Sequence, residues 1–194
     1  MASQKYKQYS VLASSTLAFT VCFMVWMMLA VVGIPVKEQL GLSETEFGIL
    51  AATPVLSGSL VRVPLGIWTD RYGGRIVFFV LRLLWVPAMF MMQYADQFWQ
   101  FLLIGLVMGL AGGSFSVGTP YVARWFPKHQ QGMAMGVFGA GNAGSAVNKF
   151  LAPALIAYGT WHFVPTVYAV IMLGTAIVFW FTSYHDKSHL VSSS

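Results

Sequence analysis

Three cations stand inside apolar runs of this sequence: Arg62, Arg82 and Lys149. Arg62 is the sharpest case, set in the run Thr53-Pro-Val-Leu-Ser-Gly-Ser-Leu-Val-Arg62-Val-Pro-Leu-Gly66. A guanidinium stays charged, because its pKa lies above about 12. Holding it at membrane depth costs from about 2.5 to more than 10 kcal/mol, depending on the reference. An acidic partner, a water-filled cavity or an anionic ligand can offset that cost. Carboxylates are in the wrong places: Glu46 and Asp70, the nearest, stand at the ends of apolar runs, on opposite sides of the bilayer. An anion therefore fits best. The guanidinium fork presents parallel N–H donors to a planar oxyanion.

A second constellation follows in the run Gly132-Met-Ala-Met-Gly-Val-Phe138-Gly139-Ala-Gly141-Asn142-Ala-Gly144-Ser-Ala-Val-Asn148-Lys149-Phe-Leu-Ala-Pro153. Gly139, Gly141 and Gly144 let a helix backbone approach a ligand without a Cβ in the way. Asn142 donates a neutral hydrogen bond. Lys149 adds a cation whose proton is tunable, since a desolvated lysine titrates near neutrality; it is expected to line a cavity. Arg82 is a candidate secondary site residue, but it is expected rather to snorkel to the cytoplasmic interface or to support the Asp70 loop. Phe138 and Tyr121 are candidates to stack on a planar anion.

The elements that must position these groups are membrane helices. The chain is 57% hydrophobic and 9% charged, against about 25% charged for a soluble domain. Spans of about 20 residues are expected at 9–36, 46–69, 76–94, 98–125, 132–158 and 163–184. Residues 1–8 and 185–194 are read as cytoplasmic tails, the second polar and disordered. Lys5, Lys7, Arg71, Arg75, Arg124, Lys128 and Lys187 fall on one side, against Lys37 beside Glu38, Glu44, Glu46 and Asp96 on the other. That bias places both termini in the cytoplasm. The net charge of +5 forms no basic stripe on a polar segment, which argues against a nucleic-acid partner. The lone Cys22 and four scattered histidines offer no disulfide framework and no metal set. No nucleophile–base pair or haem-ligand pair stands in the spans, which argues against an enzyme or a cofactor.

Between the second and third spans the sequence reads Gly66-Ile-Trp-Thr-Asp70-Arg71-Tyr-Gly73-Gly74-Arg75. This resembles the G-x-x-x-D-[RK]-x-G-x-[RK] signature of the major facilitator superfamily, in its expected loop. The glycine-rich fifth span, with Gly-Asn-Ala-Gly at 141–144 and Ala152-Pro153, resembles the signature of the nitrate/nitrite porters (NarK-type) of that superfamily. The segment Leu60-Val-Arg62-Val-Pro64 and the loop Trp125-Phe-Pro-Lys-His-Gln-Gln-Gly132 resemble the same family. The resemblance covers the second through the fifth spans.

It implies an all-α integral membrane fold, the N-terminal six-helix half of a superfamily member, built as a 3+3 inverted repeat. It implies transport of nitrate or nitrite across a bacterial inner membrane, by nitrate/proton symport or nitrate/nitrite exchange, in nitrate respiration or assimilation. Arg62 would bind substrate with Gly139, Gly141, Asn142, Gly144 and Lys149. Gly66, Asp70, Arg71, Gly73 and Arg75 would gate the cytoplasmic side. The expected partner is a complementary C-terminal half or a second copy. The chain could be a split subunit, a piece of a longer protein or an inactive relic. The competing reading is a membrane-bound anion sensor that binds without flux.

Overall fold

The computed structural model describes residues 2–184. Eight α-helices lie within them: α1 (Ala2–Leu40), α2 (Glu44–Tyr72), α3 (Gly74–Met92), α4 (Phe98–Met108), α5 (Ser114–Ala123), α6 (Gln131–Gly139), α7 (Gly144–Tyr158) and α8 (Phe163–Thr182). Tight 3-10 turns at Gly109–Gly113 and Ala140–Ala143 join α4 to α5 and α6 to α7 into two continuous rods. Six rods result, as the apolar runs lead one to expect. Five are long and apolar enough to cross a membrane. The exception, 131–158, is interrupted by a turn and carries Asn142, Asn148 and Lys149.

Local chemistry sets the corners. Ser43 caps α2 by accepting from the Glu46 N–H, while the Glu46 carboxylate accepts from the Ser43 N–H, a reciprocal capping box. Gly73, at φ 93°, makes the turn from α2 into α3 without a Cβ penalty. At the other end of the chain order, α1 begins at Ala2, so the segment read as a tail at 1–8 is helical over its described residues. The segment 185–194, with Lys187, His185 and His189, lies outside the described residues.

α1 runs through the bundle and packs on α2 and on α4 through α8. Three pairings dominate the bundle: α3 with α8, α1 with α7, and α2 with the Gly109–Gly113 turn. Exchanging the first three rods for the last three maps the first pairing onto itself and swaps the other two, as an inverted repeat requires. The sequence carries an echo of the same relation. Gly-Ser-x-Val stands in α2 at 58–61 and in α7 at 144–147. A Cβ on Gly58 would lie 2.7 Å from the Gly109 carbonyl oxygen, and one on Gly144 would lie 2.2 Å from that of Thr20. Each glycine thus closes its helix onto the opening helix of the other repeat.

Candidate anion-binding site

Arg62 opens onto a cavity of about 220 Å³ between four of the six rods. α1 supplies Phe19, Phe23 and Trp26, the α4–α5 rod supplies Gly112 and Phe115, and the Ala140–Ala143 turn supplies Asn142. Phe19, Phe23 and Trp26 are spaced i, i+4, i+7, so they share one face of α1. Trp26 donates its indole N–H to the Pro54 carbonyl at 3.1 Å. Its ring lies over Gly112, where a Cβ would come within 2.6 Å. That contact fixes α1 against α2 and the turn, and so fixes the cavity wall. Arg62 and Asn142 are both exposed at the cavity, and Arg62 makes no ion pair among the described residues. One fixed cation, one amide and four aromatic rings form a wall for a small anion. The volume lies below the range of about 300–1,000 Å³ typical of larger-ligand pockets.

The structure separates this pair from other residues expected beside it. Gly141 and Gly144 face α1 rather than the cavity: a Cβ on Gly141 would lie 2.4 Å from the Phe19 ring. They bring the Asn142 turn close to α1, and their work is helix packing. Gly139 is half-buried, with open space where a Cβ would be. Lys149 is exposed on α7 and does not line the cavity. It stands two turns past Asn142, about 10 Å along the helix by rise per residue. Phe138 is buried one ring behind the wall, stacked on Phe19 at 4.8 Å between centroids. Tyr121 is buried elsewhere, under Gly74, with its hydroxyl donating to the Tyr184 carbonyl at 2.5 Å. Neither ring can stack on an anion beside Arg62.

Arg82 does not snorkel. It is 0% exposed and donates from Nη2 to Thr175 Oγ1 on α8. The reason is the α3–α8 pairing, which covers its face of α3 before the side chain reaches an interface. Nor does it support the Asp70 loop, because Asp70 pairs with Arg124 at the end of α5, at 2.5 Å. Arg75 turns to α8 instead. Its Nε donates to Ser183 Oγ at 3.0 Å, its Nη2 donates to the Trp180 carbonyl at 2.5 Å, and its guanidinium lies 3.9 Å over the Trp180 ring. Arg71 is exposed, Gly73 is buried at the turn, and Gly66 has open space beside it. The signature loop thus ties the end of α2 to α5 and the start of α3 to α8.

Residues 15–193 match the family model described as Major Facilitator Superfamily. The chain belongs to the Major Facilitator Superfamily. Relatives within the superfamily include proteins described as nitrate and nitrite transporters rather than as enzymes, in keeping with the motifs of α2 and α6–α7. It is 43% identical to a protein of Thermus thermophilus described as a probable nitrate/nitrite antiporter, over 91% of this chain and 43% of that one. It is 31% identical to a nitrite extrusion protein of Bacillus subtilis, over 96% of this chain and 47% of that one. A probable nitrate transporter of Staphylococcus carnosus is 32% identical, over 88% of this chain and 44% of that one. The chain therefore spans about half the length of the curated relatives it matches. Among solved structures, a bacterial homolog of the human lysosomal transporter Spinster, inward-facing and unoccupied, superposes with a TM-score of 0.80. That match is 18% identical and covers 93% of this chain and 44% of the other, so it speaks to the fold. A multi-pass membrane protein is what the superfamily and the apolar helices together establish.

Sequence reasoning missed two features of this superfamily bundle. The aromatic wall of Phe19, Phe23, Trp26 and Phe115 looks like any lipid-facing set in sequence, although the i, i+4, i+7 spacing was there to be read. Asn148 is the second, and in the sequence its neighbour Lys149 draws the eye instead. It is buried, donates to the Met27 carbonyl at 3.1 Å and accepts from the Tyr168 hydroxyl at 2.7 Å. This link ties α1, α7 and α8 together one residue beyond Trp26.

Proposed function

We propose that this chain supplies one wall of a path for nitrate and nitrite through a bacterial inner membrane, with both termini in the cytoplasm. The observation that carries the proposal is the placement of Arg62 and Asn142 on one small cavity whose lining holds no carboxylate. A fixed guanidinium without a counter-charge attracts a monoanion, and the amide orients it without adding charge. Similarity to nitrate and nitrite transporters over most of this chain supports that substrate class. A complementary six-helix half or a second copy would cover the cavity. Binding would then lie between two bundles near the membrane midplane, where this class of fold places it.

Exchange is the better supported form of transport. Arg62 is the one charged side chain on the lining, so an empty site carries a net charge that resists crossing, whereas an occupied one does not. Symport would need a titrating group, and Lys149, two turns away, is the candidate for that second reading. Counterflow in proteoliposomes separates the two. Nitrite inside should accelerate entry of labelled nitrate, and a proton ionophore should leave that exchange unchanged. Uptake driven by an imposed pH gradient, and abolished by Lys149→Gln, would overturn the exchange reading. Saturable binding without flux in membranes that also hold the complementary half would favour the sensor.

A further inference from the structure

Arg82 is a buried cation that the anion cavity does not contact. Only its Nη2 has a partner among the described residues, Thr175; Nε and Nη1 have none. The Phe179 ring is 6.0 Å from the guanidinium carbon, at the limit of a cation–π contact. Every described carboxylate lies outside the buried set. The charge is therefore held in the bundle without neutralisation, and in a low-dielectric interior its field reaches far.

Packed aromatic rings join the two places. Phe179, beside Arg82, lies 5.2 Å from Phe78 between ring centroids, and Phe78 and Phe138 both close on Gly118 of α5. Phe138 in turn stacks on Phe19 of the cavity wall at 4.8 Å. Arg62, Arg82 and Asn142 also stand at similar depth, roughly 12–16 Å by helical rise from the bundle end that holds the Asp70 loop.

We propose that Arg82 sets anion affinity without touching the anion, as a fixed positive charge behind the cavity wall. This rests on the reading of the Arg62 cavity as an anion site, and extends it. At a separation on the order of one helix diameter, about 10 Å, and an effective dielectric near 20, such a charge changes the affinity of a monoanion by about tenfold. The effect is blind to anion shape, and salt does not screen it well because the intervening path is protein.

The test is calorimetric titration of the full purified chain with sodium nitrate and with sodium nitrite. Arg82→Met should weaken both anions by about tenfold and leave their ratio unchanged, at low and high ionic strength alike. Arg82→Lys, which keeps the charge and loses the fork, should stay within about twofold of the parent. Where Arg82→Met does not fold, Arg82→Gln, able to retain a bond to Thr175, carries the same expectation. Parent-like affinity in a neutral variant of native helicity overturns the proposal. So does equal loss in Arg82→Lys and the neutral variant, which would show a packing role. Arg62→Gln, which removes the charge from the cavity, separates the two readings: if the parent binds no nitrate, or Arg62→Gln changes nothing, the cavity itself is not the anion site and the inference falls with it.

Discussion

Asn142 matters as much for what it is not as for what it is. A carboxylate at that place would pair with Arg62 across the cavity and cancel the charge that an anion needs. Asn142→Asp is therefore expected to reduce nitrate binding below detection in the titration, while leaving the helical circular dichroism spectrum unchanged. Retained affinity in Asn142→Asp would place the anion elsewhere. The charge of Arg62 and its missing partner were plain in the sequence, because both follow from residue type and position along an apolar run. The direction of Arg82 was not. Whether a cation escapes to an interface depends on which helix covers it, and α8 lies about ninety residues further along the chain. Lys149 fell to the same difficulty: its position along α7 was legible, but its distance from the cavity depends on how the Asn142 turn is set.

Among helices, the glycines of α6 and α7 divide by the face they occupy. Gly144→Ala would force a Cβ to 2.2 Å from the Thr20 carbonyl, and backbone cannot yield as a flexible side chain can. Such overpacking typically costs about 1–3 kcal/mol, so Gly144→Ala should lower the apparent melting temperature of the purified chain. Gly139→Ala meets nothing within 4 Å and sits at helical φ, −64°, so its melting temperature should equal or exceed that of the parent. Equal melting behaviour of the two variants would contradict the packing described here. The sequence showed that glycines cluster in this span, but not which of them face α1. A glycine carries no side chain by which to phase a helix, and 3-10 turns at Gly109–Gly113 and Ala140–Ala143 shift the phase within each rod. The six rods themselves were legible, since their ends are marked by polar loops and by capping residues such as Ser43.

On the scale of the whole molecule, the bundle is one unit of a symmetric design. Its two three-helix repeats contact each other through reciprocal glycines, and its cavity is walled by rods from both repeats. The Asp70 loop joins α2 to α5 and thus one repeat to the other. Asp70 is 68% exposed as a side chain, so its ion pair contributes at most about 1 kcal/mol to stability. Asp70→Asn should therefore leave the melting temperature within a few degrees, yet slow exchange flux in proteoliposomes, because the pair is suited to hold a gate rather than the fold. Flux unchanged by Asp70→Asn would reduce the loop to a topology marker.

Anion recognition in this bundle turns on the fork at Arg62. Nitrate titration of the purified chain and of Arg62→Lys compares a planar two-donor cation with a point charge at the same place. The expected result is nitrate affinity lowered at least about tenfold in Arg62→Lys, the size of one charge-assisted hydrogen bond. Equal affinity in the two proteins would show that simple charge attraction suffices, and would contradict a site built around that guanidinium.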